Sequence, residues 1–196
     1  MKSFKQHLQE KNVQTLYHAT SLYSFHDILI SRKIKTSRLT QTETWVTGKA
    51  MNMSVAQADE YMKHNHIKGY VSFARHPRNG FTAYNHGATN SPGWTAATAI
   101  LKCDGRKLAR YGKVIPVDYG AMRKIGDGMG SEQEERLLSK RLTIPLYEVV
   151  LEMSIITANA YDAELTEKII ELDNRIKVFK GATIEAAWKN YFRSRP

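Results

Sequence analysis

His18 and Thr20 stand two residues apart in the stretch Gln14-Thr15-Leu16-Tyr17-His18-Ala19-Thr20-Ser21. Leu16 and Tyr17 favour a strand, and residues two apart on a strand share a face. The pair thus presents an imidazole and a hydroxyl together at a strand end. That couple suits a polyhydroxylated ligand such as a ribose; a histidine that merely caps the strand end through a backbone hydrogen bond is the plain alternative. A second strand reads Gly69-Tyr70-Val71-Ser72-Phe73-Ala74-Arg75. Alternation puts Tyr70, Ser72 and Ala74 on one face and Val71, Phe73 and Arg75 on the other. The third piece is the acidic run Ser131-Glu132-Gln133-Glu134-Glu135-Arg136-Leu137-Leu138, which follows a connection rich in glycine. Glu132 and Glu134 share a face in one register, Gln133 and Glu135 in the other. A carboxylate held by the core on one side and open to a cleft on the other can stabilise developing positive charge. A solvated turn before a strand is the competing reading of the run.

These residues need rigid supports. Ser21 is a good helix cap, and Leu22, Phe25, Ile28 and Leu29 recur at helical spacing behind the first strand. Lys33-Ile34-Lys35-Thr36 reads as a short strand. Residues 39–53 read as a loop anchored by Trp45 and Val46. Ser54 caps a helix with Val55, Ala58, Tyr61 and Met62 on one stripe. His76-Pro77 ends the second strand, and residues 78–93, with Tyr84 and His86, form a long loop of the kind that binds ligands. Residues 97–103 read as a buried strand, Asp104 opens a short helix, and Val114-Ile115-Pro116-Val117 reads as an edge strand because of its proline. Residues 147–156 read as a strand. Residues 163–174 and 183–192 read as helices, the second packed through Trp188, Tyr191 and Phe192. Phe4, Leu8 and Val13 suggest a further helix at the start. This mixed order predicts an α+β fold. It lacks a strand–helix–strand unit with a Gly-x-Gly-x-x-Gly turn, and no Walker loop, zinc-protease helix or EF-hand pattern is present.

Composition sets the class. The 196 residues carry a formal net charge of +10, with 42% hydrophobic and 24% charged residues and a pI of about 9.6. Such a surplus raises the local concentration of polyanions, making nucleic acid or an anionic cofactor the first partners to consider, with simple solubility as the alternative. Lys and Arg are dispersed, which favours a folded basic face over a disordered arm. The lone Cys103 excludes a disulfide framework or a cysteine-rich zinc site within one chain and points to a reducing, cytoplasmic home. No apolar run approaches the roughly 18 residues of a membrane span, and the opening residues lack the apolar core of a secretion signal. No metal is expected.

Taken in order, the three pieces resemble the ADP-ribosyltransferase signature over residues 14–156. The chain is also similar to uncharacterised tailed-phage proteins that share a Tyr-His-x-Thr opening, a Val-Ser-Phe-x-Arg strand and a Glu-x-Glu-Glu-Arg-Leu step. The resemblance implies two small facing sheets, mixed or antiparallel, around an NAD cleft with flanking N- and C-terminal helices. It implies a single domain over 1–196, with a catalytic core at 14–156 and a helical appendage at 160–196. It further implies NAD as the substrate and mono-ADP-ribosyl transfer to a macromolecule with release of nicotinamide. The charge adds nucleic acid, or a protein bound to it, as the acceptor. The setting would be the cytoplasm, including a host's during phage infection.

The same resemblance assigns His18 and Thr20 to a ribose, Arg75 to the NAD pyrophosphate, and Tyr70 or Tyr84 to stacking on nicotinamide. Ser72 would support the catalytic glutamate. Ala74 stands where the family's strand often has a second hydroxyl, which favours the His-Tyr-Glu type or an intermediate one. Glu134 is the preferred catalytic carboxylate, with Glu132 toward the acceptor. The alternative register uses Glu135 and Gln133; in the family Gln-x-Glu accompanies amide or guanine acceptors and Glu-x-Glu accompanies arginine. Two other functions fit the same residues. One is a catalytically silent basic module that docks on nucleic acid or a phage or host protein. The other is an RNA 2'-phosphotransferase, whose opening is related but for which Arg32, Lys33 and Arg75 are few cations.

Overall fold

Strand β1 (Thr15–Thr20) has neighbours on both sides, and the sheet grows outward from it. A computed structural model describes residues 15–37, 51, 53–77, 97–117, 134–158 and 162–195. On one side β1 meets β3 (Gly69–Ala74), then β6 (Glu134–Ser139) and β5 (Gly112–Val117) at the edge. On the other it meets β4 (Ala97–Asp104), β8 (Val150–Ala158) and β9 (Lys177–Gly181). All these pairings are antiparallel except β8 with β9. The short strands β2 (Lys33–Lys35) and β7 (Thr143–Pro145) form a separate ribbon.

The α+β class holds, but the two sheets are not both small. Because β1 pairs with β3 and β4 alike, seven strands join one mixed sheet, and only two remain in the second. Gly69 helps to bring the second near the first. Its position faces the carbonyl of Ser37, where a Cβ would collide, and Ser37 bridges to Tyr70 just beyond the ribbon.

Helices cover both faces of the large sheet. On one face lie Leu16, Val71, Phe73, Leu101, Leu137 and Ile155. Against them packs α1 (Leu22–Ser31) through Leu22, Phe25, Ile28 and Leu29. Its start is held as expected: the Ser21 hydroxyl oxygen accepts the Ser24 amide at 3.1 Å, a cap that contributes about 1 kcal/mol. The opposite face carries Ile100 and Ile156 against Ala187, Trp188 and Tyr191 of α6 (Ile184–Arg193). Farther along that face Ile115 and Leu138 meet Tyr61 of α2 (Val55–His64). Ser54 and Gln57 close a reciprocal capping box at the start of α2.

Three short elements complete the order: α3 (Gly105–Leu108), α4 (Leu146–Val149) and the longer α5 (Ala163–Leu172). Residues 147–149 are helical, not strand. Leu146 and Val149 are both fully buried one helical turn apart, and a turn redirects the chain from β7 into β8. The tail also departs from a purely helical appendage. β9 extends the sheet, and β8–α5–β9 makes one strand–helix–strand unit. Neighbouring residues in Lys177-Val178-Phe179-Lys180 do not alternate cleanly, so the ladder with β8 decides the conformation. The suggested N-terminal helix and the 78–93 loop lie outside the described residues. Among the described residues no helix is long and apolar enough to cross a membrane.

Candidate active site

Strand register brings the first and third sequence pieces to one end of one face. Tyr17 pairs with Ala74, so the next antiparallel step sets His18 beside Phe73. Phe73 in turn pairs with Glu135. His18, Phe73 and Glu135 therefore form a row across β1, β3 and β6. At ~4.8 Å between strands, the outer two backbones lie ~10 Å apart. The His18 and Phe73 rings meet at 5.7 Å between centroids, tilted by 56°.

The His18 ring is fixed by its own hydrogen bond. Nδ1 lies 2.9 Å from the Ser72 carbonyl oxygen. A carbonyl only accepts, so Nδ1 carries the proton and the neutral ring keeps a lone pair on Nε2. Burial holds the imidazole below its usual value of 6.5, against a smaller upward pull from the Ser72 carbonyl. A histidine with a lowered folded value binds fewer protons than the unfolded chain in acid. Its contribution is neutral above pH ~6.5 and turns destabilising as the pH falls below that. We expect the melting temperature to drop more between pH 7 and pH 5 in the wild type than in His18→Gln. Parallel slopes for the two proteins would contradict this.

Glu135 is held by Arg75. The guanidinium Nε donates to Oε1 at 2.5 Å. The carboxylate side chain is only 4% exposed while the guanidinium is 22% exposed. Val71, Phe73 and Arg75 share a face, as alternation required, and Glu135 with Leu137 lies on that same face. Thr20 lies there too, buried, and its carbonyl oxygen accepts the Thr98 hydroxyl at 3.2 Å.

Other sequence candidates fall elsewhere. Tyr70 and Ser72 occupy the opposite face. The Tyr70 ring lies under the Arg136 guanidinium, 4.7 Å from it, and packs near Ile115 and Leu138. Burial draws Arg136 down to about 10. Ser72 pairs with Arg136 across the ladder, and it is the Ser72 carbonyl that reaches His18. So the sheet separates the Ser72 position from Glu135. The backbone of Glu134 pairs with Ala74 and Val117, one step out of phase with the row. The acidic residues 134 and 135 are the first two residues of β6, inside the ladder. Glu132, Gln133 and Tyr84 lie outside the described residues.

Phe73 was not among the sequence candidates. Its face was legible from alternation, but its place between His18 and Glu135 depends on cross-strand register, for which two separate strands carry no local signal. Cys103 is buried beside the core, and desolvation pushes its thiol far above the usual range, so it offers no thiolate nucleophile. Among the described residues no group of three or more His, Cys, Asp or Glu side chains gathers to hold a metal.

No protein-family model matches the chain, and no curated protein matches it. Solved structures do. Thermus sp. 2.9 DarT in complex with NAD+ is 14% identical, with 85% of this chain and 96% of that one covered at a TM-score of 0.50. The complex of the same protein with carba-NAD+ gives 14% identity, 85% and 95% coverage and a TM-score of 0.49. The complex with ADP-ribosylated ssDNA gives 14%, 84% and 92%, with 0.48. At this identity the likeness is one of fold.

Proposed function

We propose that this chain transfers ADP-ribose from NAD to a nucleic-acid acceptor and releases nicotinamide. The row of His18, Phe73 and Glu135 on one face of the sheet carries the reading. Two further observations support it. The fold is shared with a DarT whose structure holds NAD+, and the net charge of +10 favours a polyanionic acceptor.

In this reading the bond between the ribose C1' and the nicotinamide nitrogen breaks. The electron pair leaves with nicotinamide, whose positive charge is thereby neutralised. The ribose is left as an oxocarbenium-like cation. Glu135 supplies the negative charge that stabilises it. Arg75 positions that carboxylate through its ion pair. His18 Nε2 accepts a hydrogen bond from a ribose hydroxyl, Thr20 stands beside it, and Phe73 forms the floor. A nucleophile of the acceptor then bonds to C1' and releases its proton.

The face shared with His18 favours the Gln133-x-Glu135 register over Glu132-x-Glu134. On the family resemblance that register moves the acceptor toward a guanine base, which agrees with a nucleic acid. Calorimetric titration with NAD tests the donor. His18→Ala should weaken NAD by about 1–2 kcal/mol, the size of one lost hydrogen bond to a polar ligand, or roughly 5- to 30-fold. A folded wild-type protein that takes up no NAD would sink the transferase reading and leave a silent binding module.

A further inference from the structure

The end of the sheet away from this site is basic. Residues 105–111 carry the chain from Asp104 of β4, which pairs with Thr15 at the start of β1, to Gly112 of β5, which pairs with Ser139 at the end of β6. This crossing bears Arg106, Lys107 and Arg110. Lys68 immediately precedes β3, and Lys140 and Arg141 immediately follow β6. Backbone hydrogen bonds tie these segments together: the Lys68 amide donates to the Ser139 carbonyl at 2.7 Å, and the Lys140 amide donates to the Tyr111 carbonyl at 3.0 Å. All but the half-buried Lys107 are exposed. Among the described residues none of the six cations forms an ion pair.

Two described acids beside this crossing are engaged by other groups. The Asp104 carboxylate accepts the amides of Arg106 and Lys107 at 2.8 and 3.1 Å. Glu148 accepts the Tyr111 hydroxyl. Tyr111 also lies beneath the Arg141 guanidinium, 5.3 Å from it, which steadies that side chain. The cations thus stand on a rigid frame, and among the described residues no carboxylate pairs with them.

We infer that this basic end is a docking surface for the phosphate backbone of nucleic acid, separate from the site at the other end of the sheet. Spaced cations on a folded edge match a polyanion with regular charges and confer affinity without sequence preference. β6 runs the whole way from Glu135 to Ser139, so a strand bound here lies roughly 15 Å from the row, at ~3.3 Å per residue. That separation corresponds to about four or five phosphates at 3.4 Å each along one strand. The surface therefore holds a polymer by one part while another part stays within reach of the row. Binding here requires nothing of NAD, so this inference and the proposed transfer fail separately.

The test compares two double charge reversals in fluorescence anisotropy with labelled DNA and RNA strands of about 20 nucleotides, from about 50 to 200 mM salt. Arg110→Glu with Lys140→Glu alters the basic end. Lys180→Glu with Lys189→Glu makes the same change in net charge at exposed positions on β9 and α6. Circular dichroism and thermal melting confirm that each variant is folded. The first variant should lose about tenfold or more in affinity, and its slope of log affinity against log salt should flatten by about 1.4, for two lost phosphate contacts on a single strand. The second should stay within about threefold of wild type. Equal losses in both, an unchanged slope in the first, or no nucleic-acid binding by the wild type would overturn the inference.

Discussion

On the proposed reading, Glu135→Gln should lower the rate of nicotinamide release by about 10²–10³-fold while NAD affinity changes little. The size is that of a charge that acts chiefly on the transition state. The bound substrate carries the nicotinamide charge before the bond breaks, and the ribose gains its own only as it breaks. A carboxylate beside the ribose therefore stabilises the later state more than the earlier one. Glutamine keeps the shape and hydrogen-bonding of the side chain and removes the charge. Arg75, being partly solvent-exposed, tolerates a neutral partner, so the fold survives. Stopped assays of nicotinamide, with calorimetry on the same samples, separate the two effects. A Glu135→Gln enzyme near wild type beside a dead Glu134→Gln would restore the Glu132-x-Glu134 register.

Phe25→Ala should remove about 3–5 kcal/mol of stability. Phe25 is fully buried in α1 within the cluster that includes Leu16 and Phe73. Deleting its ring loses the transfer free energy of an aromatic side chain and leaves a cavity that a sheet on one side and a helix on the other collapse only in part. Domains of this kind unfold at about 5–15 kcal/mol in total, so the loss is large. Urea unfolding reads it as a fall in midpoint at constant slope. Tyr23, on the same helix but 66% exposed, provides the control: Tyr23→Ala should change stability by about 0.5 kcal/mol or less. A Phe25→Ala protein that loses under about 1 kcal/mol would mean that α1 does not brace the row.

What could be read in the sequence was what local chemistry decides. Ser21 and Ser54 start helices as their hydroxyls require. Pro116 sits on β5, which among the described residues is paired on one side, where a missing amide costs least. Alternation correctly split Tyr70, Ser72 and Ala74 from Val71, Phe73 and Arg75. What stayed hidden depended on partners far along the chain. Glu134 and Glu135 are equally acidic, and only the pairing of Phe73 with Glu135, 62 residues later, aligns one of them with His18. The single large sheet and β9 arise in the same way, because pairing with β8 overrides the weak strand signal of Lys177–Gly181. Ser72 shows the limit of reading side chains alone, since the contact it makes with His18 comes from its backbone.

Transfer itself is the most direct measurement. The protein is incubated with NAD labelled in its adenylate half together with DNA, RNA and protein, and the acid-insoluble label is then treated with nuclease or protease. The account predicts label that nuclease releases and protease does not, free nicotinamide in matching amount, and the loss of both in Glu135→Gln. Label that only protease releases would move the acceptor to protein. No label and no nicotinamide from a folded, NAD-saturated protein would contradict the account.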